Sequence, residues 1–321
     1  MRHLITTYLY FFLGWTTLSA QYATELFVAQ DGSGEYTSIQ AAIDATKSFP
    51  DVAITIHIKA GVYREKVKVH AWNNHLTLRG EDAATTVISW DDYFDSIDRG
   101  RNSTFHTPTL LVQGDDFTAL NLTVENTAGP VGQAIALSVE ADRAVFLSCR
   151  ILGHQDTLYV DGAHARQYFR DCYIEGTTDF IFGAATVLFE RCTIHSKANS
   201  FVTAASTPEG QPYGFVFLAC RLTADEGVDA VYLGRPWRSY ARTAFLRCEL
   251  GAHIRPAGWD NWSTPAREQT TFYAEYENYG PGAQPQGRVP WSHQLSRRQA
   301  RRYRTEKVLA PYLLPVMTLP N

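Results

Sequence analysis

Short apolar clusters recur along the middle of the chain in one register. They are FLSCRI (146–151), FRDCYI (169–174), FERCTI (189–194), FLACRL (217–222) and FLRCEL (245–250). Each reads Phe-x-x-Cys-x-(Ile/Leu), and a sixth copy, FTALNL (117–122), carries Leu120 in place of the cysteine. The central residues, at 120, 149, 172, 192, 220 and 248, are separated by 29, 23, 20, 28 and 28 positions. A short β-type segment repeated every 20–30 residues predicts a solenoid. Helices are a poor alternative, because the repeated pieces are short and often flanked by Gly, Thr and Asp. In such a solenoid each turn adds a parallel strand about 4.8 Å above the last, so equivalent residues stack in ladders.

Ahead of the coils, DGSGEYTSIQAAIDA (31–45) combines a glycine turn, a cap at Thr37 or Ser38 and an apolar stripe of Ile39, Ala42 and Ile43. That predicts a helix closing one end of the solenoid. Its glycines match neither phosphate-binding nor dinucleotide-binding spacing. Strands follow in AITIHIKAG and HLTLRG. Beyond the last cysteine, 251–321 is rich in Pro, Gly and Trp and carries a basic run from Arg297 to Arg304. It reads as a tail packed along the coils with a short solvated helix, which could also meet an anionic polymer.

The first residues look like an export signal. Arg2 and His3 precede an apolar stretch from Leu4 to about Leu18, and Ser19 and Ala20 offer a cleavage site before Gln21. The expected organisation is therefore a signal peptide over 1–20 and one all-β, right-handed parallel β-helix over 21–321. The exported product would be secreted or periplasmic. No later segment is apolar enough to span a bilayer, and a solenoid of this kind can stand alone as a monomer.

With 45% hydrophobic residues the chain can bury a large core, and its net charge of −4 gives no global basic field for nucleic acid. Five cysteines form one column of the repeat and serve mainly as interior packing. Export permits a disulfide between neighbouring rungs, for which Cys172 and Cys192 are the preferred pair. An odd count leaves at least one thiol free.

The same register locates the chemistry. Asp156 lies seven residues after Cys149, and Asp179 seven after Cys172. Two carboxyls one coil apart cannot both ionise easily, which divides them into an acid and a nucleophile or base. Paired turn aspartates bonded to their own backbones are the plain alternative. The aromatic and Gln neighbours on both turns favour chemistry. Arg235 and Trp237, in YLGRPW, can hold one aspartate ionised and stack on a sugar ring. Gln133 and Gln155 offer amide donors to an oxyanion. Tyr159 and Phe182 each follow an aspartate by three residues and can wall a cleft. No serine elbow and no zinc spacing accompany them, so no metal or cofactor is required.

GVYREKV (61–67), GQAIAL (132–137), GHQDTLYVDG (153–162), YIEGTTDFIFG (173–183) and YLGRPW (232–237) together resemble the signature segments of pectin methylesterases. The likeness runs from about Phe27 to about Leu309 in family order, and the tail segments HIRPAGWDNW and FYAEYENYGPGA suggest bacterial members. It implies a right-handed parallel β-helix and a substrate, methyl-esterified pectin. It also implies Asp179 as nucleophile, Asp156 as acid then base, and Gln155 and Gln133 as oxyanion donors. Arg235 would hold Asp179, Trp237 would bind the sugar, and Thr109 would take a further substrate position. Family members carry a bridge at the places of Cys172 and Cys192. His154 and the basic run at 297–304 depart from the family pattern. A glycoside hydrolase or a non-catalytic sugar-binding solenoid are the alternatives.

Overall fold

The computed structural model describes residues 22–162 and 164–311; the proposed signal at 1–20 lies outside them. The chain winds as a right-handed parallel β-helix whose coils each add one strand to each of three faces. Among the described residues these faces are sheets of eleven, eight and seven strands, and neighbours pair in parallel. The first face contains Ala144–Leu147, Arg166–Arg170, Thr186–Glu190, Phe215–Leu218 and Arg242–Leu246. The second contains Arg150–Leu152, Tyr173–Gly176 and Thr193–Ser196, and the third Leu158–Val160, Ile181–Gly183, Phe201–Ala205 and Tyr232–Pro236.

The repeat is the corner between the first and second faces. Its phenylalanines point inward and stack with ring centroids 4.5 Å apart at Phe146–Phe169, 5.2 Å at Phe169–Phe189, 4.6 Å at Phe189–Phe217 and 4.2 Å at Phe217–Phe245. All five are buried. Burying such a ring is worth about 2–3 kcal/mol, so this column is a principal spine of the core.

After each phenylalanine strand the chain turns in two residues. The first is left-handed in every coil: Ser148, Asp171, Arg191, Ala219 and Arg247 have φ of 51–54°. That conformation costs a non-glycine residue about 1 kcal/mol. Hydrogen bonds between coils offset it, since the N–H groups of Ser148, Asp171 and Arg191 donate to Arg170, Glu190 and Leu218 carbonyls at 3.0–3.1 Å. The second corner residue is the cysteine, which points inward.

The sixth copy of the repeat is displaced by two residues from its expected register. Ala119, not Phe117, pairs with Phe146, and Asn121 (φ 52°) takes the corner, so Leu122 replaces the cysteine rather than Leu120. A two-residue slip keeps every side chain on its own side of the pleat, so the apolar pattern could not reveal it.

The expected Cys172–Cys192 disulfide is also corrected, because all five cysteines are free, buried thiols. The Cys172 thiol donates to the carbonyls of Phe146 and Arg170, and that of Cys192 to Phe169 and Glu190, at 3.4–3.5 Å. Burial pushes both thiols well above the usual range, so in the folded chain they stay protonated packing groups.

At the N-terminal end, the helix Ile39–Asp44 buries Ile39, Ala42 and Ile43, and the Ser38 hydroxyl accepts from Ala41 N–H. Glu65 adds a second cap, accepting from the N–H groups of Ile39 and Gln40 at 2.8 and 3.0 Å. At the other end, the tail lies on the outer surface of the first face. There Leu295, Val308 and Leu309 bury themselves against Val145, Leu147, Leu188, Val216 and Leu246.

Candidate active site

On the third face, Leu158 pairs with Ile181 and Tyr159 with Phe182. Asp156 and Asp179 lie two residues ahead of the first pair, so they occupy the same rung position one coil apart. Both are left-handed, with φ of 62° and 48°, a strained conformation that turns each side chain out of the strand path. Backbone bonds to the next coil fix it: Asp156 N–H donates to Thr178 O at 3.1 Å and Asp179 N–H to Phe201 O at 2.9 Å.

Arg235 reaches Asp179 from the strand Tyr232–Pro236, two coils on. Its Nε donates to Oδ1 at 2.9 Å and its Nη2 to Oδ2 at 2.7 Å, a two-pronged ion pair. The guanidinium is itself clamped between the Phe201 ring at 3.9 Å and the Trp262 ring at 3.6 Å. Asp179 is only 6% exposed. Burial pushes its carboxyl up from the ordinary value, while the bonds and charge of Arg235 pull it back. Burial pushes Asp156 well up, the charge of Asp179 adds to the push, and Arg235 opposes it only through its charge. The pair thus sorts itself into a carboxylate at Asp179 and a carboxylic acid at Asp156.

Around the pair lies a cleft of about 270 Å³, lined in part by Gln133, Gln155, Phe182, Ala204 and Trp237. Gln133 and Gln155 meet in a parallel bridge, which sets both side chains at one edge of the aspartates. Phe182 and Trp237 pack edge to face at 5.8 Å and form the apolar wall. Asp156, Asp179, Gln133, Gln155, Arg235, Phe182 and Trp237 therefore come together as the sequence predicts.

Two expected residues lie elsewhere. Thr109 is fully buried outside the cleft lining, with its hydroxyl donating to Glu125 O at 2.9 Å and its N–H to Ile135 O beside the Gln133 segment. Tyr159 stands behind the wall. Its ring packs on Phe105 at 5.1 Å and Phe182 at 4.8 Å, and its hydroxyl donates to Asp161 at 2.6 Å. His154 turns away toward Lys197, whose Nζ lies 3.4 Å from its ring.

The sequence reading missed Arg101, Thr104, Phe105 and Trp262, which also line the cleft. The first three sit on the 3-10 helix Gly100–His106, an excursion between coils with no repeat to betray it. Trp262 comes from the Pro/Gly/Trp-rich segment after the last coil, where its tryptophans were the only available signal.

Comparison with known proteins places this architecture. A family model described as Pectinesterase matches residues 25–311. Pectinesterase 31 of Arabidopsis thaliana is 41% identical over 276 residues, covering 84% of this chain and 86% of that protein. The structure of pectin methylesterase from carrot superposes with a TM-score of 0.86 at 34% identity, covering 95% of this chain and 98% of that one. Pectin methylesterase PemA from Erwinia chrysanthemi gives 0.81 at 29% identity, covering 94% and 100%. The carrot enzyme shares more sequence than this bacterial one, so the expected leaning toward bacterial members finds no support here.

Proposed function

Because the chain belongs to the pectinesterase family, we propose that it hydrolyses the methyl esters of galacturonate units in pectin through Asp179 and Asp156. The observation that carries this reading is the two-pronged Arg235–Asp179 ion pair with a more strongly raised carboxyl one rung away.

In the first half-reaction an Asp179 oxygen attacks the ester carbonyl and forms a tetrahedral oxyanion. Side-chain N–H groups of Gln133 and Gln155 donate to that oxygen as its charge develops. Collapse breaks the bond to the methoxy group, Asp156 gives its proton to the departing oxygen, and methanol leaves. An anhydride then joins Asp179 to the substrate acyl group. Asp156, now ionised, takes a proton from water as the water attacks. Collapse frees the galacturonic acid and restores both aspartates. Trp237 and Phe182 supply the apolar surface on which a sugar ring stacks.

Methanol release from highly methylated pectin, with polymer length followed in the same tube, tests the reading. Methanol without shortening is expected. Shortening without methanol would transfer the aspartate pair to glycosidic cleavage, which also runs on two carboxyls.

The protonation states also predict a pH effect. Asp179 must be ionised to attack, so the rate falls as pH drops through its carboxyl value. Arg235 holds that value down, so Arg235→Gln is expected to move the acid limb of kcat/KM to higher pH. The rate at neutral pH should fall by about a hundredfold. An unmoved limb in the pH–rate profile would remove Arg235 from this role.

We also read the chain as exported. Among the described residues no helix is long and apolar enough to cross a membrane. N-terminal sequencing of the exported protein should begin at Gln21, and an intact Met1 start would refute cleavage.

A further inference from the structure

A second recess, of about 430 Å³, opens where the tail crosses the outer surface of the first face. It is lined by Arg247, Arg297, Arg301 and Arg304, with Tyr276, Tyr303 and Ala300 between them and Glu277 the one acidic group. Arg247 comes from the left-handed corner of the last cysteine coil, so its side chain projects outward from the spine. Arg297 and Arg301 stand one helical turn apart at 297 and 301, on the same side of the short helix. All four arginines are exposed, and none forms an ion pair among the described residues. Four cations thus face one carboxylate in a chain whose formal net charge is −4. Nothing in the fold requires them to converge: the helix is anchored by its apolar neighbours Leu295, Val308 and Leu309.

We propose that this recess is a second polysaccharide site, which takes the carboxylates of de-esterified galacturonate units, on the reading that the chain is a pectin methylesterase. A methyl ester carries no charge, so untouched substrate gains nothing there. Each turnover creates a carboxylate, the group whose two oxygens match the guanidinium fork. A polymer that has lost consecutive methyl groups carries one anion per ring and can engage several arginines together. The tyrosine faces offer a surface for the sugar rings between those anions. The recess lies on the first face and the cleft on the third, so the two sites can hold separate stretches of polymer. The enzyme would then be retained on regions it has already treated, and more weakly as salt rises.

The test compares the full chain with Arg297→Gln/Arg301→Gln/Arg304→Gln and with Trp237→Ala, titrating each with fully de-esterified polygalacturonate at low salt. The triple variant should bind about fivefold or more weakly, as three exposed charge contacts allow, and lose most of its salt dependence. Its rate on a short methylated oligomer should be unchanged. Trp237→Ala should keep the salt-dependent component. Affinity within twofold of the parent, or loss only toward a sulfated dextran, overturns the proposal. If the triple variant fails to fold, Arg301→Glu alone gives the same contrast. Methanol release with unchanged affinity would sink the recess and spare the esterase reading. Lost affinity in a chain that releases no methanol would do the reverse.

Discussion

Asp179→Ala is expected to lower methanol release from methylated pectin by about 10⁴-fold or more while the protein stays folded. Loss of a nucleophile removes the whole covalent route, and what remains is the modest help of binding and of the amide donors. The substitution also leaves Arg235 without its two charge-assisted bonds. That guanidinium is still sandwiched between Phe201 and Trp262, and its partial exposure lets water take over from the carboxylate. The backbone bond from residue 179 to Phe201 O does not involve the side chain, although alanine tolerates the left-handed conformation less well than aspartate, at about 1 kcal/mol. Circular dichroism and a thermal melt should therefore report a native solenoid with a slightly lower Tm. A folded variant whose rate lies within tenfold of the parent would overturn the nucleophile assignment.

Asp156→Asn is expected to be nearly as damaging to turnover, by about 10³-fold, because neither the leaving group nor the attacking water then has a proton partner. Its effect on stability should run the other way. Burial and the neighbouring charge raise the Asp156 carboxyl in the folded state, so the native protein binds that proton more tightly than the unfolded chain does. Below the ordinary value near 4 both states hold the proton and the substitution changes little. As pH rises from there through the raised value, the unfolded chain ionises first and the parent loses stability that the amide variant keeps. At pH 7 the variant should gain on the order of 1 kcal/mol, a common size for relief of a costly functional group. Denaturant titrations of both proteins at pH 4 and pH 7 check this. A parent that gains stability relative to the variant between those pH values would show that the carboxyl is not raised.

The repeat was legible because it recurs on the inward side of strands, where a phenylalanine and a cysteine column meet the same neighbours in every coil. The aspartate pair was legible for the same reason, since Cys149 to Asp156 and Cys172 to Asp179 traverse equal lengths of chain. Legibility failed where the pattern is blind. The Leu120 placement slipped by two residues, which the pleat cannot distinguish. Arg101, Thr104 and Phe105 enter the cleft from a non-repeating helix, and Trp262 from a tail whose path is set by packing rather than by period. Thr109 was expected through resemblance and sits buried with its hydroxyl on Glu125 O, and the disulfide was expected from stacked cysteines whose thiols instead face strand carbonyls.

The two-residue corner between the first and second faces is the same length in all the coils from Leu120–Thr123 to Leu246–Glu249, whereas the connections bordering the third face range from Gly183–Thr186 to Trp90–Leu110. Room for added sequence is therefore unequal around the solenoid. One extra residue in the corner would rotate the following strand by half a pleat and drive Ile151 or its counterparts into solvent. A segment spliced between Trp90 and Leu110 would instead emerge beside the cleft, where Arg101, Thr104 and Phe105 already line it, with the phenylalanine column undisturbed. Grafting onto this scaffold can be confined to the side that meets the polymer, leaving the opposite edge as a fixed ruler.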